Sequence, residues 1–160
     1  MTGVAPSVLA SHAFLRGMPG EHVARLAEIA AEVTVPAGHR FFEEGGEAGQ
    51  FWLIRTGHVA LDLHIPGPAR LIVETVGGGG VVGLSWLSPP RQWQFGAEAV
   101  QPTTAFVLNG EAVRALCDSY PVLGYQITRQ LMDVTATRLH ATRIRMLDLY
   151  SVSSLHASAR

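Results

Sequence analysis

The sequence predicts a mainly β protein, an antiparallel roll or barrel with helices on both sides. Two observations lead to this fold class. Between residues 33 and 108, short apolar and β-branched runs alternate with turns rich in Gly and Pro. Before and after this region, apolar residues recur at helical spacing instead. The connections between the runs are too short for the crossovers that parallel strands require, so the strands are antiparallel.

Each element has its own signal. Apolar residues recur at helical spacing across residues 7–33. A Gly-Met-Pro-Gly turn divides this segment into two short helices. Asn109 is a favoured N-cap residue for a helix from Glu111 to Cys117. Pro121 suits the first turn of a long helix that reaches about Tyr150. The predicted strands are 33–35, 40–42, 51–54, 59–64, 71–76, 95–100 and 104–108.

Composition excludes several classes of protein. The chain has 160 residues, 48% of them hydrophobic and 16% charged, which indicates one globular domain and not a disordered chain. Its net charge is −1 with no basic run, and no apolar stretch is long enough for a membrane span. We therefore expect a soluble, cytoplasmic protein that does not engage membranes.

Catalytic and metal-binding motifs are not evident either. Cys117 is the single cysteine, which excludes an internal disulfide and a Cys-rich zinc site. His58 and His64 share a strand face, but no accompanying ligand motif is present. No nucleophile motif occurs, so we expect neither an enzyme nor a metalloprotein.

Four consecutive glycines at positions 77–80 are the most unusual local feature. Ordered glycines cost more backbone entropy than other residues, so the run indicates a backbone requirement. One interpretation is a concavity whose N–H groups bind an anion. The other is a tight turn that uses glycine only for positive φ angles.

The long helix carries two apolar stripes. One consists of Ile127, Leu131 and Val134 and stops halfway. The other alternates three and four residues, which is the pattern of a helix–helix seam. It consists of Met132, Thr135, Leu139, Thr142, Met146 and Leu149. We expect this second stripe to form a two-fold dimer interface. The alternative is that both stripes pack on the roll of a single chain.

Three segments together resemble the cyclic-nucleotide-binding domain of the catabolite-activator/Fnr family. They are a Pro-Ala-Gly turn with an apolar pair at 36–45, a hairpin at 51–61, and the glycine-rich stretch at 75–83. The resemblance covers about residues 12–150 and implies a β-jelly-roll effector module with N-terminal helices and a C-terminal dimerisation helix. The implied organisation is a flexible N-terminus at 1–11, the jelly roll at 12–120, the dimerisation helix at 121–150 and a flexible tail at 151–160.

The resemblance also implies a ligand site. Its phosphate-binding loop would contain Gly79, Val82, Gly83, Leu84, Ser85, Arg91, Gln92 and Trp93. The long helix would add Thr142 and Arg143. The implied ligand is a cyclic nucleotide or another small anionic effector, and no other cofactor is indicated.

This loop departs from the family pattern at two points. Leu84 replaces the glutamate that holds the ribose 2′-hydroxyl in the family, and leucine offers no acceptor. The family's phosphate-binding arginine would fall at Gln92 when residues are counted forward from Gly83. It would fall at Trp93 when they are counted back from residues 97–99, and Arg91 is adjacent. Trp86 and Trp93 either fill the core or shape an apolar pocket. We therefore expect cAMP and cGMP to bind poorly.

The family's transcription factors place a helix-turn-helix domain after the long helix. Here ten residues follow Tyr150, so we expect no sequence-specific DNA binding by this chain alone. The expected function is a homodimeric sensor that signals through its long helix to a downstream protein. The alternative is a structural or interaction protein whose pocket has closed.

Overall fold

The computed structural model describes residues 3–157. They fall into two compact units, which divide between Gln126 and Ile127. The first contains all eight strands, and the second consists of the remainder of the last helix. The helices are α1 (Pro6–Ala10), a 3-10 turn (Ala13–Leu15), α2 (Gly20–Ile29), α3 (Gly110–Ser119) and α4 (Pro121–Ala157).

Two four-stranded antiparallel sheets make up the β region. The strands are β1 (Ala30–Val35), β2 (Arg40–Phe42), β3 (Gln50–Thr56), β4 (Val59–His64), β5 (Arg70–Val76), β6 (Val81–Val82), β7 (Gly96–Ala99) and β8 (Thr103–Asn109). One sheet has the order β1-β8-β3-β6 and the other β2-β7-β4-β5. This architecture confirms the predicted fold class, a jelly roll of antiparallel strands with flanking helices.

The core between the sheets combines large aromatic and small residues. Trp52 of β3 and Trp93, which lies before β7, occupy it together with Ala97 of β7 and Ala105 of β8. Because alanine projects little beyond the backbone, the two indoles fit between the sheets without forcing them apart. The remaining buried members of this cluster are Ala48, Ile54, Val59, Leu61, Val76 and Val82.

Both helix signals in the C-terminal half are confirmed. Asn109 Oδ1 accepts a hydrogen bond of 2.9 Å from the backbone N–H of Ala112, the expected geometry for an N-cap. Helix α4 begins at Pro121, whose missing N–H costs nothing in a first turn.

The chain termini are more regular than the sequence indicated. The segment 1–11, expected to be flexible, includes helix α1, and Leu9 within it is fully buried. Helix α4 continues past Tyr150 to Ala157, across most of the segment expected to be a flexible tail. Residues 1–2 and 158–160 lie outside the described residues. Strand β6, directly after the glycines, was not predicted as a separate strand.

A charged network stabilises the sheet that contains β2, β7, β4 and β5. Arg40 donates two hydrogen bonds to the carboxylate of buried Asp62, at 2.5 and 3.2 Å, and two more to Glu43. The bond to Asp62 raises the pKa of Arg40, and Arg40 in turn lowers the pKa of Glu43. A Cβ at Gly96 would meet the side chains of Arg40 and Asp62, so a larger residue here would have to displace this ion pair. Within residues 3–157, no helix has the length and apolar character of a membrane span.

Candidate functional site

The glycine run forms a tight turn between β5 and β6. The N–H of Gly79 donates to the Ile54 carbonyl at 2.8 Å, and the N–H of Gly80 donates to the Gly77 carbonyl at 3.1 Å. Gly79 has a φ of +87°, and a Cβ at Gly78 would lie 2.7 Å from the Arg55 carbonyl oxygen. The glycines therefore bring the turn close to β3, and the N–H groups of Gly79 and Gly80 are bonded within the protein rather than open to an anion.

His12 meets this turn at the same carbonyl. Its Nε2 lies 2.9 Å from the Ile54 oxygen, and its Nδ1 accepts a bond of 3.2 Å from the N–H of Phe14. This pair of contacts requires the neutral Nε2–H tautomer. Burial lowers the pKa of His12, which favours the same neutral form. Sequence reasoning missed this residue because a lone histidine carries no motif.

The segment between β6 and β7 has no regular secondary structure. Val82 and Gly83 are buried at its start, and Leu84 and Ser85 are half-buried. Trp86 is fully buried and stacks on Phe51, with ring centroids 4.6 Å apart. The first part of the predicted phosphate-binding loop is thus anchored in the protein interior.

Trp93 anchors the other end of this segment. Its ring stacks on Phe42 with centroids 3.8 Å apart, and only 5% of the residue is exposed. Its backbone N–H donates to the Gly46 carbonyl, and its carbonyl accepts from the N–H of Gly45. The side chain of Trp93 therefore lies in the core and does not reach the surface.

Arg91 and Gln92 are exposed beside it. Arg91 follows a cis Pro89–Pro90 bond and has a φ of 52°, in the left-handed region. The Arg91 carbonyl accepts a bond of 2.8 Å from the N–H of Ala48. Its guanidinium has no salt-bridge partner among the residues that the structure describes. Of the candidates for the phosphate contact, Arg91 alone combines positive charge with exposure.

A cavity of about 270 Å³ opens next to Trp93. It is lined by Phe41, Glu47, Gly49, Gln50, Trp52 and Trp93. The loop 45–49 that borders it is held against residues 91–93 by backbone hydrogen bonds. Only Trp93 of the predicted loop lines it. Among the side chains that the structure describes, no three of His, Cys, Asp or Glu come together as metal ligands.

The predicted residues of α4 are on its surface in the single chain. Thr142 and Arg143 are exposed, and the Thr142 hydroxyl donates to the Arg138 carbonyl of its own helix. Their contribution to a ligand site remains a prediction.

The two stripes differ in burial. Ile127 and Leu131 of the first stripe are buried. The large apolar residues of the second stripe have exposed fractions of 50% to 71%. They are Met132, Leu139, Met146 and Leu149.

The strand order and the irregular segment before β7 define a β-jelly-roll module with flanking helices. The family model of the cyclic nucleotide-binding domain matches residues 32–120, more than half of the chain. The chain belongs to this family, which confirms the resemblance found in the sequence.

Individual relatives agree with this assignment. The chain is 28% identical over 130 residues to the Pycsar effector protein PaPycTIR of Pseudomonas aeruginosa; the match covers 81% of this chain and 39% of that protein's length. A cyclic nucleotide-binding domain from Methylobacillus flagellatus superposes with a TM-score of 0.80 at 23% identity, covering 91% of this chain and 86% of the other. The catabolite activator protein of Thermus thermophilus superposes with a TM-score of 0.68 at 24% identity. This match covers 87% of this chain and 63% of the other. These two structures are similar in fold.

Proposed function

We propose that this chain is a small-ligand-sensing regulatory module that acts as a homodimer and transmits occupancy through α4. Membership of the cyclic nucleotide-binding domain family supports the sensing role. Similarity to the Pycsar effector protein PaPycTIR supports a regulatory role. The module is not an enzyme: it binds its effector reversibly and passes the signal to a partner protein.

The observation that carries the ligand proposal is the free guanidinium of Arg91. Arg91 is exposed and lies two residues before the buried Trp93, in the segment that we assign as the phosphate-binding loop. A cyclic phosphate needs a charged donor, because removing the anion from water without one is costly. Arg91 is the residue of this loop that supplies such a donor. The effector is therefore a cyclic nucleotide or a similar small anion.

Three features make the site non-standard. Leu84 offers no acceptor for a ribose hydroxyl. The N–H groups of Gly79 and Gly80 are already bonded to backbone carbonyls. Trp93 fills interior space beside Gly83. A ribose hydroxyl buried without a partner costs about 1–3 kcal/mol, and each decade of affinity corresponds to about 1.4 kcal/mol. A weakened phosphate contact adds to this cost. The affinity for cAMP and cGMP should therefore be about two decades lower than that of relatives with a complete loop.

The stacking of Trp93 on Phe42 also supports a second candidate function. A ring that fills the core at this point could close the pocket altogether. The protein would then be a structural or interaction module whose dimer docks to a partner without responding to a nucleotide.

Titration calorimetry with cAMP and cGMP separates these functions. The parent should bind at least one nucleotide weakly, with a dissociation constant above the micromolar range, and Arg91→Ala should abolish this binding. Arg16→Ala is the matched control, because Arg16 is an exposed arginine outside the loop. Absence of binding to the folded parent at millimolar nucleotide would favour the closed-pocket candidate. Micromolar or tighter binding would contradict the proposed weakening.

A further inference from the structure

We propose that the cavity beside Trp93 binds a small organic cation, an alkylated ammonium group. Three aromatic residues and one glutamate are among the six residues that line the cavity. Aromatic ring faces carry negative charge density, and a carboxylate adds a formal negative charge. This combination attracts cations.

The three aromatic rings that line the cavity lie at angles to one another. Phe41 and Trp52 are edge-on, with centroids 5.3 Å apart and an interplanar angle of 67°. Trp52 and Trp93 are tilted by 39° at 6.2 Å. A cation within about 6 Å of a ring centroid gains favourable electrostatic energy from that ring. A methylated ammonium group in the cavity would lie beside these rings.

The charge of the lining selects the sign of the ligand. Glu47 is the only charged residue among the six that line the cavity. It is exposed, and no arginine or histidine lies within salt-bridge distance of it in the described part of the chain. A phosphate placed here would face this carboxylate and the negative ring faces, with no basic partner. A cation instead gains a counter-charge from Glu47 and ring contacts from the walls.

The walls are held in place before any ligand arrives. Trp93 is fixed by its stack on Phe42 and by its two backbone hydrogen bonds to the loop 45–49. Trp52 lies on β3, which pairs with both β6 and β8. Binding would therefore require little ordering of side chains, which preserves affinity.

The size of the cavity limits the ligand. Pockets for drug-sized ligands begin at roughly 300 Å³, and this one measures about 270 Å³. A trimethylammonium head group suits this volume better than a whole nucleotide. Gln50 adds a polar residue to the lining.

The test follows the indole N–H signals of the three tryptophans in ¹H–¹⁵N spectra while choline is added. Single Trp→Phe variants assign the signals. Trp52 and Trp93 should shift saturably at millimolar choline, and Trp86, outside the lining, should not. The neutral analogue 3,3-dimethylbutan-1-ol has the same shape without the charge and should bind about tenfold more weakly. Glu47→Gln should weaken choline binding by about tenfold, and Glu28→Gln, at an exposed glutamate elsewhere, should not.

Two results would overturn the proposal. One is the absence of any saturable shift in the folded parent. The other is equal binding of choline and its neutral analogue, which would show an apolar pocket without charge selection. The nucleotide titrations with Arg91→Ala measure a different contact, so failure of either proposal is seen independently of the other.

Discussion

The indole of Trp93 lies directly against the backbone of Gly83, where a Cβ atom would be 3.0 Å from the ring atoms Cη2 and Cζ3. Gly83 also has a φ of +87°, in the left-handed region that favours glycine. This contact joins the two ends of the segment between β6 and β7. The start of the loop and the aromatic stack of Trp93 therefore depend on each other.

Substitution of Gly83→Ala should destabilise the fold. The new methyl would meet Trp93 and the Gln50 carbonyl, at 3.0 and 3.2 Å, in a backbone conformation that alanine disfavours. We expect a loss of about 2–4 kcal/mol in the free energy of unfolding, measured by urea denaturation. Gly20→Ala is the control, because a Cβ there meets nothing within 4 Å and alanine favours helix α2. Equal stability of the two variants would contradict the contact.

Stability should fall in mild acid because of His12. Its pKa in the folded protein is below the ordinary value of 6.5, chiefly because burial disfavours the charged ring. As the pH falls below about 6.5, the unfolded chain therefore takes up a proton before the folded chain does. The stabilisation is complete above this pH and is lost as the pH falls toward the folded-state pKa. Denaturation curves between pH 7.5 and 5 measure the loss.

The matched variant for this prediction is His12→Gln. A glutamine amide can still donate toward the Ile54 carbonyl, but it does not titrate. We expect its free energy of unfolding to depend less on pH across the same range than that of the parent. An identical slope in both proteins would assign the acid sensitivity to other groups.

Restoring an acceptor at position 84 should strengthen nucleotide binding. If the proposed loop holds a ribose, Leu84→Glu supplies the missing partner for its 2′-hydroxyl and should raise cAMP affinity at least tenfold by calorimetry. Leu87→Glu adds the same charge at another half-buried leucine of the loop and serves as the control. No gain with Leu84→Glu, or the same gain with both, would count against a ribose at this position.

Leu139→Glu should disrupt the proposed dimer. Half of Leu139 is exposed in the single chain, in the centre of the second stripe of α4. In a two-fold seam the substitution would place two like charges opposite each other. We expect a monomer by light scattering. The circular dichroism spectrum should show that the variant remains folded.

Thr137→Glu controls for added charge, since Thr137 is exposed and lies on the opposite side of the helix from the stripe. It should leave the dimer intact. A monomeric parent chain would remove the basis of the dimer proposal.

Much of the fold followed from local sequence signals. Strand β4 and strand β2 have the bounds expected from their apolar runs and flanking turns. Asn109 and Pro121 mark helix starts because capping and the first helical turn depend on a few adjacent residues. The predicted end of α4 was less accurate, because no strong stop signal follows Tyr150. The helix continues to Ala157.

The ligand site was less accessible to sequence reasoning. Its expected residues are consecutive in the loop, but the cavity collects Phe41, Glu47 and Trp52 from other parts of the chain. His12 meets Ile54 across 42 positions, and nothing in either local sequence indicates that contact. Such pairs form only when the two sheets and the N-terminal helices pack together.

The sequence by itself determined the class of fold, the order of its elements, the glycine requirement at the β5–β6 turn and the absence of the glutamate at position 84. These depend on backbone preferences and residue identity, which act locally. The tertiary structure alone decided that the glycine N–H groups are bonded within the protein, that Trp93 lies inside and that Arg91 remains free outside. Those outcomes depend on which groups from distant segments compete for the same space and the same hydrogen bonds.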